Sequence, residues 1–146
     1  MKAPKMYRVG IIGAGSIAQH CHIPGYKKCA NVELVAFADT CPARHKEVID
    51  KFPEMKGYTD YRQMLEKESL DVVSVCTPNK VHAPAAIAAL KAGCHVLCEK
   101  PMATTLKEAD AMTAAARTAR KKLMVGFTHR LFTANRICKD ILKKRG

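Results

Sequence analysis

The chain has 146 residues, 48% of them hydrophobic, which suits one domain with a proper core and is too short for two. Its apolar runs fall well short of the roughly 20 residues that cross a bilayer, and residues 1–5 carry charge without an apolar signal-peptide segment. The net charge of +12 allows a nucleic-acid surface, but four Phe, four Tyr and no Trp offer little for base stacking. We therefore expect no membrane segment. We attribute the charge to solvated helix faces, or to a surface that meets a missing acidic partner, rather than to nucleic-acid binding.

The seven cysteines are an odd number, and they are scattered without a Cys-x-x-Cys pair. This pattern argues against a disulfide framework and against a zinc site. Free thiols are typical of a reducing compartment, so we predict a cytoplasmic protein.

Apolar runs alternate with helical patterns along the whole chain. The runs predict strands at residues 7–12, 32–38, 57–59, 72–76, 94–98 and 123–127. The remaining pattern predicts helices from residue 16 to about 22–25 and at residues 42–51, 61–67, 81–92, 104–120 and 134–144. Pro24 is expected to end the first helix, because proline disfavours helix at the preceding residue. The alternation predicts an α/β fold, a doubly wound parallel sheet with helices on both faces.

The first strand runs into a glycine turn, Gly-x-Gly-x-x-Ala at residues 13–18. Gly13 permits the tight strand-to-helix turn, and Gly15 lets a pyrophosphate approach the backbone. The N–H groups from Ser16 and Ile17 onward, with the helix dipole behind them, can hold its negative charge. The turn therefore predicts dinucleotide binding, because ligands of such sheets lie outside the carboxyl ends of the strands.

Asp39 closes the second strand, where the dinucleotide fingerprint expects an acid. Its carboxylate can accept hydrogen bonds from an adenosine ribose and would repel a 2′-phosphate, which favours NAD over NADP. Thr40 and Arg44 nearby can soften that preference. The alternative is that Asp39 is simply the N-cap of the next helix.

Polar residues also follow the fourth predicted strand. Pro78 fixes the loop, and Thr77 and Asn79 offer polar groups where a nicotinamide ribose would lie. The alternative for these residues is a loop that caps a helix. By itself, His82 fits packing or solvation better than catalysis.

Glu99, Lys100 and Pro101 follow the fifth predicted strand. Lysine shifts its pKa readily when desolvated, so Lys100 can exchange a proton with a substrate oxygen near neutral pH. Glu99 beside it would favour the charged form of the amine and set its position. Pro101 stiffens the turn.

Three segments resemble the Gfo/Idh/MocA oxidoreductases, the family of glucose–fructose oxidoreductase and inositol dehydrogenase. They are Gly-Ala-Gly-Ser-Ile-Ala at 13–18, Cys-Thr-Pro-Asn-Lys-Val-His at 76–82, and Ala-Gly-Cys-His-Val-Leu-Cys-Glu-Lys-Pro-Met-Ala at 92–103. The resemblance covers about residues 7–130. It implies a nicotinamide-dependent oxidoreductase, with NAD or NADP as cofactor, that acts on sugars, cyclitols or related diols.

The resemblance also implies roles for individual residues. The lysine matching Lys100 acts in proton transfer, and the proline matching Pro101 shapes the site beside the nicotinamide. Residues 77–79 and His82 line the cofactor, and Arg130, in the segment that leaves the last strand, helps to form the site.

The chain departs from this family in length. Its members carry a second α/β domain with the substrate contacts and an Asp/His pair, so we divide the chain into a dinucleotide-binding domain, residues 1–130, and a basic helix, residues 131–146, leading toward an absent domain. The six histidines are scattered, and we assign none of them to that pair. The alternative to an enzyme domain is an NAD-binding module without turnover, whose bare face would favour self-association.

Overall fold

The computed structural model describes residues 5–145, which form a six-stranded parallel sheet with helices on both faces. The strands are β1 Tyr7–Ile12, β2 Val32–Ala38, β3 Lys56–Tyr58, β4 Val72–Val75, β5 His95–Cys98 and β6 Leu123–Val125. The helices are α1 Ile23–Lys27, α2 Pro42–Lys51, α3 Tyr61–Lys67, α4 Asn79–Lys91, α5 Leu106–Ala119 and α6 Thr133–Arg145. The strand order β3-β2-β1-β4-β5-β6 is that of a Rossmann fold, which confirms the predicted fold class.

The sheet buries apolar side chains on both faces because each strand lies between helices. On one face Ile11 packs in a cluster with Ile23 of α1 and Val48 of α2. On the other face Val75 packs with Leu90 of α4. Buried strands of this kind are apolar throughout, which is why the strands could be recognised from short apolar runs.

The first helix does not end at Pro24, and that prediction is wrong. The chain forms a π-helical turn at Ala18–His22, in which the Ile23 N–H donates to the carbonyl of Ala18, and then continues as α1 to Lys27. Pro24 lies in the first turn of α1, where its missing N–H costs no hydrogen bond. The helix therefore continues through a wider π turn and does not end at the proline.

The carboxyl ends of the strands are held in line by hydrogen bonds that continue just beyond the ladders. The Gly13 N–H donates to Ala38, the Asp39 N–H to Tyr58, the Cys76 N–H to Ile12, the Glu99 N–H to Val75 and the Gly126 N–H to Cys98, at 2.7–3.0 Å. These contacts bring the segments that follow five strands to one edge of the sheet.

After β6, Gly126 is half-buried and residues 127–144 are exposed. This segment contains a 3₁₀ turn at Thr128–Leu131 and then α6. Large apolar side chains lie on this surface: Phe127, Leu131, Phe132, Ile137, Ile141 and Leu142. Helix α6 agrees with the helix predicted at residues 134–144. Residues 1–4 of the predicted dinucleotide-binding domain and residue 146 of the predicted basic helix lie outside the described residues.

Helix α5 begins with a complete capping box. The Thr105 hydroxyl accepts the Glu108 N–H at 3.2 Å, and a Glu108 oxygen accepts the Thr105 N–H at 3.2 Å. Hydrogen bonds from the Thr104 side chain and backbone lower the pKa of the Glu108 carboxyl below its ordinary value. The carboxylate is therefore ionised at neutral pH, and the box weakens as the pH falls through that lowered pKa.

We expect Thr105→Ala to lower the free energy of unfolding by about 1 kcal/mol, because the Glu108 N–H loses its acceptor. Thr105→Ser keeps the hydroxyl and should stay close to the wild type. Urea denaturation followed by circular dichroism measures both variants. Equal midpoints for the Ala and Ser variants would contradict the capping role.

Candidate functional site

The glycine turn, residues 13–18, has the open backbone that an anion needs. Gly13 has φ +89°, and an added Cβ would lie 2.7 Å from the Cys76 carbonyl oxygen, so a larger residue would be strained and would clash. An added Cβ at Gly15 would meet no atom within 4 Å. Ser16 and Ile17 are exposed. The turn thus presents backbone N–H groups to open space at the start of a helix.

Asp39 ties the glycine turn to the start of α2. Its carboxylate is buried, with one oxygen accepting the Ala14 N–H at 2.8 Å and the other accepting the Cys41 N–H at 2.9 Å. The Arg44 guanidinium lies 3.3 Å from the first oxygen. The N-cap of α2 is Cys41, so the alternative of Asp39 as that N-cap is wrong.

A cavity of about 250 Å³, called here the Asp39 cavity, opens where β1, β2 and β4 end. Its lining includes Gly13, Asp39, Thr40, Arg44, Thr77 and Pro78. The Thr77 hydroxyl is buried and has no hydrogen-bond partner among the described residues. A buried polar atom of this kind is usually satisfied, so the Thr77 hydroxyl fits a ligand group in this cavity.

His82 lies beneath the strand ends. Its ring is 1% exposed, with Nε2 2.9 Å from the Thr77 carbonyl oxygen and Nδ1 2.7 Å from the Pro101 carbonyl oxygen. The ring thus connects the loop after β4 to the turn after β5. Asn79, the first residue of α4, is exposed.

A second cavity of about 630 Å³, called here the Lys100 cavity, opens beyond β5 and β6. Its lining includes Ile17, His22, Tyr26, Glu99, Lys100 and Phe127. Lys100 is exposed and joined to Pro101 by a cis peptide bond. Arg130 lies farther along, with its guanidinium 5.8 Å from the centre of the Phe127 ring.

Glu99 takes part in a polar network that the sequence analysis missed. One carboxylate oxygen lies 3.0 Å from His22 Nε2, and the other accepts the Lys100 N–H at 3.2 Å. His22 Nδ1 lies 3.2 Å from the Ser74 hydroxyl, which lies 2.8 Å from the Tyr26 hydroxyl. The histidines are therefore not all scattered, since one forms a carboxylate–histidine pair. The available signal was Ser74, a polar residue inside an apolar strand.

Three groups near the carboxyl edge are protonated and neutral at neutral pH, the Tyr26 phenol and the Cys76 and Cys98 thiols. Burial raises the pKa of the Tyr26 hydroxyl, so it remains a protonated phenol. Burial, with a smaller effect of the Glu99 carboxylate, raises the pKa of the Cys98 thiol to about 12 and that of the Cys76 thiol further. Neither thiol is a nucleophile near neutral pH.

In residues 5–145, His, Cys, Asp and Glu side chains do not gather into a group of three or more that could hold a metal ion. Within the same residues, each helix is too short or too polar to span a bilayer.

Comparison with known proteins gives the family. Residues 7–127 match the Gfo/Idh/MocA group, described as "Oxidoreductase family, NAD-binding Rossmann fold". The D-glucoside 3-dehydrogenase of Escherichia coli is 41% identical over 123 residues, which are 84% of this chain and 35% of that protein. The chain thus spans little more than a third of the length of this curated relative.

Two solved structures are similar to this chain over nearly its whole length. The WlbA dehydrogenase from Bordetella pertussis, solved with NADH and UDP-GlcNAcA, is 27% identical with a TM-score of 0.90, over 99% of this chain and 41% of that one. A 3-ketoreductase from Actinomadura kijaniata, solved with NADP and TDP-benzene, is 31% identical with a TM-score of 0.87, over 96% and 43% of the two chains. The family description confirms the predicted NAD cofactor class. The chain belongs to the Gfo/Idh/MocA oxidoreductase family and corresponds to its NAD-binding Rossmann domain.

Proposed function

We propose that this chain binds NAD along the carboxyl edge of its sheet and serves as the cofactor-binding part of an oxidoreductase that acts on a sugar, a cyclitol or a related diol. One observation carries the proposal: the glycine turn borders both cavities, through Gly13 in the Asp39 cavity and Ile17 in the Lys100 cavity. A two-ended ligand with a central pyrophosphate suits this arrangement. The seven free thiols support the predicted cytoplasmic location.

The adenosine half belongs in the Asp39 cavity. Asp39 Oδ2 already accepts from Ala14 and Arg44. Asp39 Oδ1 accepts the Cys41 N–H and keeps a lone pair that can also accept a ribose hydroxyl. The negative charge of the carboxylate disfavours a 2′-phosphate, while the half-exposed Arg44 favours one. NAD is therefore the proposed cofactor, with NADP as a weaker ligand.

The pyrophosphate belongs at the glycine turn. Gly15 leaves open space above the backbone, and the Ser16 and Ile17 N–H groups can donate to phosphate oxygens. The positive end of the helix that starts there adds to the attraction.

The nicotinamide half belongs in the Lys100 cavity, where the bound ring accepts or supplies a hydride at C4. Lys100 is exposed there, so its amine can reach a substrate hydroxyl and hold the proton that leaves or returns to the oxygen. Glu99 holds the Lys100 backbone N–H, and Pro101 follows in the same turn. These roles assign Lys100 to proton transfer and its neighbours to its placement.

The alternative is an NAD-binding module without turnover, whose exposed apolar surface would favour self-association. The chain covers 35% of the D-glucoside 3-dehydrogenase, and the surface formed by Phe127, Phe132 and Ile141 is bare. A further domain or a second copy of the chain could cover it. The two functions differ in one assay: an oxidoreductase that contains this chain forms NADH from NAD and a polyol, whereas a module binds NADH and forms none.

Gly15→Ala should abolish most NADH binding without changing stability. The added methyl group meets no protein atom within 4 Å, so the midpoint of thermal unfolding should match the wild type. The same methyl group occupies the space assigned to the pyrophosphate, so the Kd for NADH should rise at least about tenfold. NADH fluorescence titration and thermal melts measure the two effects.

Gly13→Ala is the matched comparison, because its Cβ would lie 2.7 Å from the Cys76 carbonyl oxygen. This variant should lose both stability and binding. Wild-type NADH affinity in Gly15→Ala would contradict the phosphate site, and absence of NADH binding by the wild type would contradict the proposed function.

Charge at the Asp39 cavity should decide between NADH and NADPH. Asp39→Asn removes the carboxylate charge and should raise the NADPH-to-NADH affinity ratio about tenfold, a free-energy change of roughly 1.4 kcal/mol. Arg44→Ala should weaken NADPH about two- to fivefold, as expected of an exposed ion pair, and leave NADH unchanged. Calorimetric titration with both cofactors measures the ratio. The same NADPH-to-NADH affinity ratio in the wild type and in both variants would show that the Asp39 and Arg44 charges do not face the 2′ position of the ribose.

A further inference from the structure

A continuous polar network lies beside the Lys100 cavity, whose lining includes three of its four members, His22, Tyr26 and Glu99. The network contains Tyr26 from α1, His22 from the π-helical turn, Ser74 from β4 and Glu99 from the end of β5. Ser74 has no solvent exposure, and the side chains of His22 and Glu99 are 8% and 13% exposed. The network therefore joins the first helical segment, which contains the π-helical turn and α1, to β4 and to the end of β5 through largely buried polar groups.

Every contact in this network is satisfied if His22 is neutral with its proton on Nε2. The Tyr26 phenol, kept protonated by its raised pKa, donates to Ser74, and the Ser74 hydroxyl donates to His22 Nδ1. His22 Nε2–H then donates to one Glu99 oxygen, while the Lys100 N–H donates to the other. All donors thus point in one direction, and the series of hydrogen bonds ends on the Glu99 carboxylate.

Burying these groups is costly unless they form a complete set of hydrogen bonds. Ser74 lies in a strand whose other residues are valines, and its burial gains no apolar contact that valine would not supply. The network instead fixes the orientation of Glu99, since both oxygens have a protein donor. A carboxylate held in this way keeps lone pairs for hydroxyl or amide donors in the Lys100 cavity.

We propose that His22, supported by Ser74 and Tyr26, is a positioning residue that holds the Glu99 carboxylate for the nicotinamide riboside half of the cofactor. This inference rests on the proposed function and deepens it, because it concerns only one half of the ligand. The Asp39 cavity, which holds the adenosine half, has no residue of the network in its lining. Loss of the His22 contact should therefore weaken NADH and spare ADP, which lacks the whole nicotinamide riboside.

Two substitutions at His22 separate its two contacts. The amide of His22→Gln lies near the position of Nε2 and can still donate to Glu99. The amide of His22→Asn lies near the position of Nδ1 and reaches only Ser74. His95→Asn is the matched control, because His95 lies at the opposite end of β5 and its Nδ1 accepts the Lys122 N–H, which an Asn oxygen can also accept.

The test is calorimetric titration of the 146-residue chain and its variants with NADH and with ADP. His22→Asn should raise the Kd for NADH about tenfold, the usual size of a lost hydrogen bond to a charged group, and leave the Kd for ADP within about twofold. His22→Gln should recover most of the NADH affinity, and His95→Asn should match the wild type with both ligands.

Equal losses for NADH and ADP, or no loss in His22→Asn, would overturn the inference and leave NAD binding intact. A wild type that binds neither ligand would overturn the proposed function and this inference with it. A second measurement does not depend on the stability of a variant: two-bond ¹H–¹⁵N spectra of the wild type should show His22 as the Nε2–H tautomer. The Nδ1–H tautomer would overturn the inference.

Discussion

The parallel hydrogen-bond ladder is the constraint on which the site depends. The backbone hydrogen bonds between neighbouring strands continue slightly beyond the last paired residues. The neighbouring strand therefore holds Gly13, Asp39, Cys76 and Glu99 in place. Residues that are far apart in sequence therefore meet at one edge of the sheet. The chemistry of the protein lies in the residues that follow the strands, while the strands supply the rigid frame.

The two ends of this edge differ in chemistry. At one end, the Asp39 carboxylate has two roles. It lines the Asp39 cavity, and it accepts the Ala14 N–H, which stabilises the glycine turn. At the other end, Glu99 is held by His22 from an adjacent helical turn. Each carboxylate is therefore oriented by the protein before any ligand arrives, which lowers the ordering cost of binding.

The sequence predicted the fold well because local signals agreed with it. The apolar runs predicted β1 and β2 with their observed bounds, and the pattern at residues 104–120 predicted α5. Pro24 misled the prediction because the chain passes it through a π turn and continues as α1. The His22–Glu99 pair was missed because it joins residues 77 positions apart, a tertiary contact with no local pattern. The cofactor class agrees with the family, while the roles of Lys100 and its neighbours remain predictions.

The central claim is that one dinucleotide lies across both cavities with its pyrophosphate at the glycine turn. A crystal structure of the chain grown with NADH tests this most directly. The account predicts phosphate oxygens within hydrogen-bond distance of the Ser16 and Ile17 N–H groups, adenosine beside Asp39 and the nicotinamide ring beside Lys100. A nicotinamide ring on the other side of the sheet from Lys100, or a nucleotide bound away from the glycine turn, would contradict it.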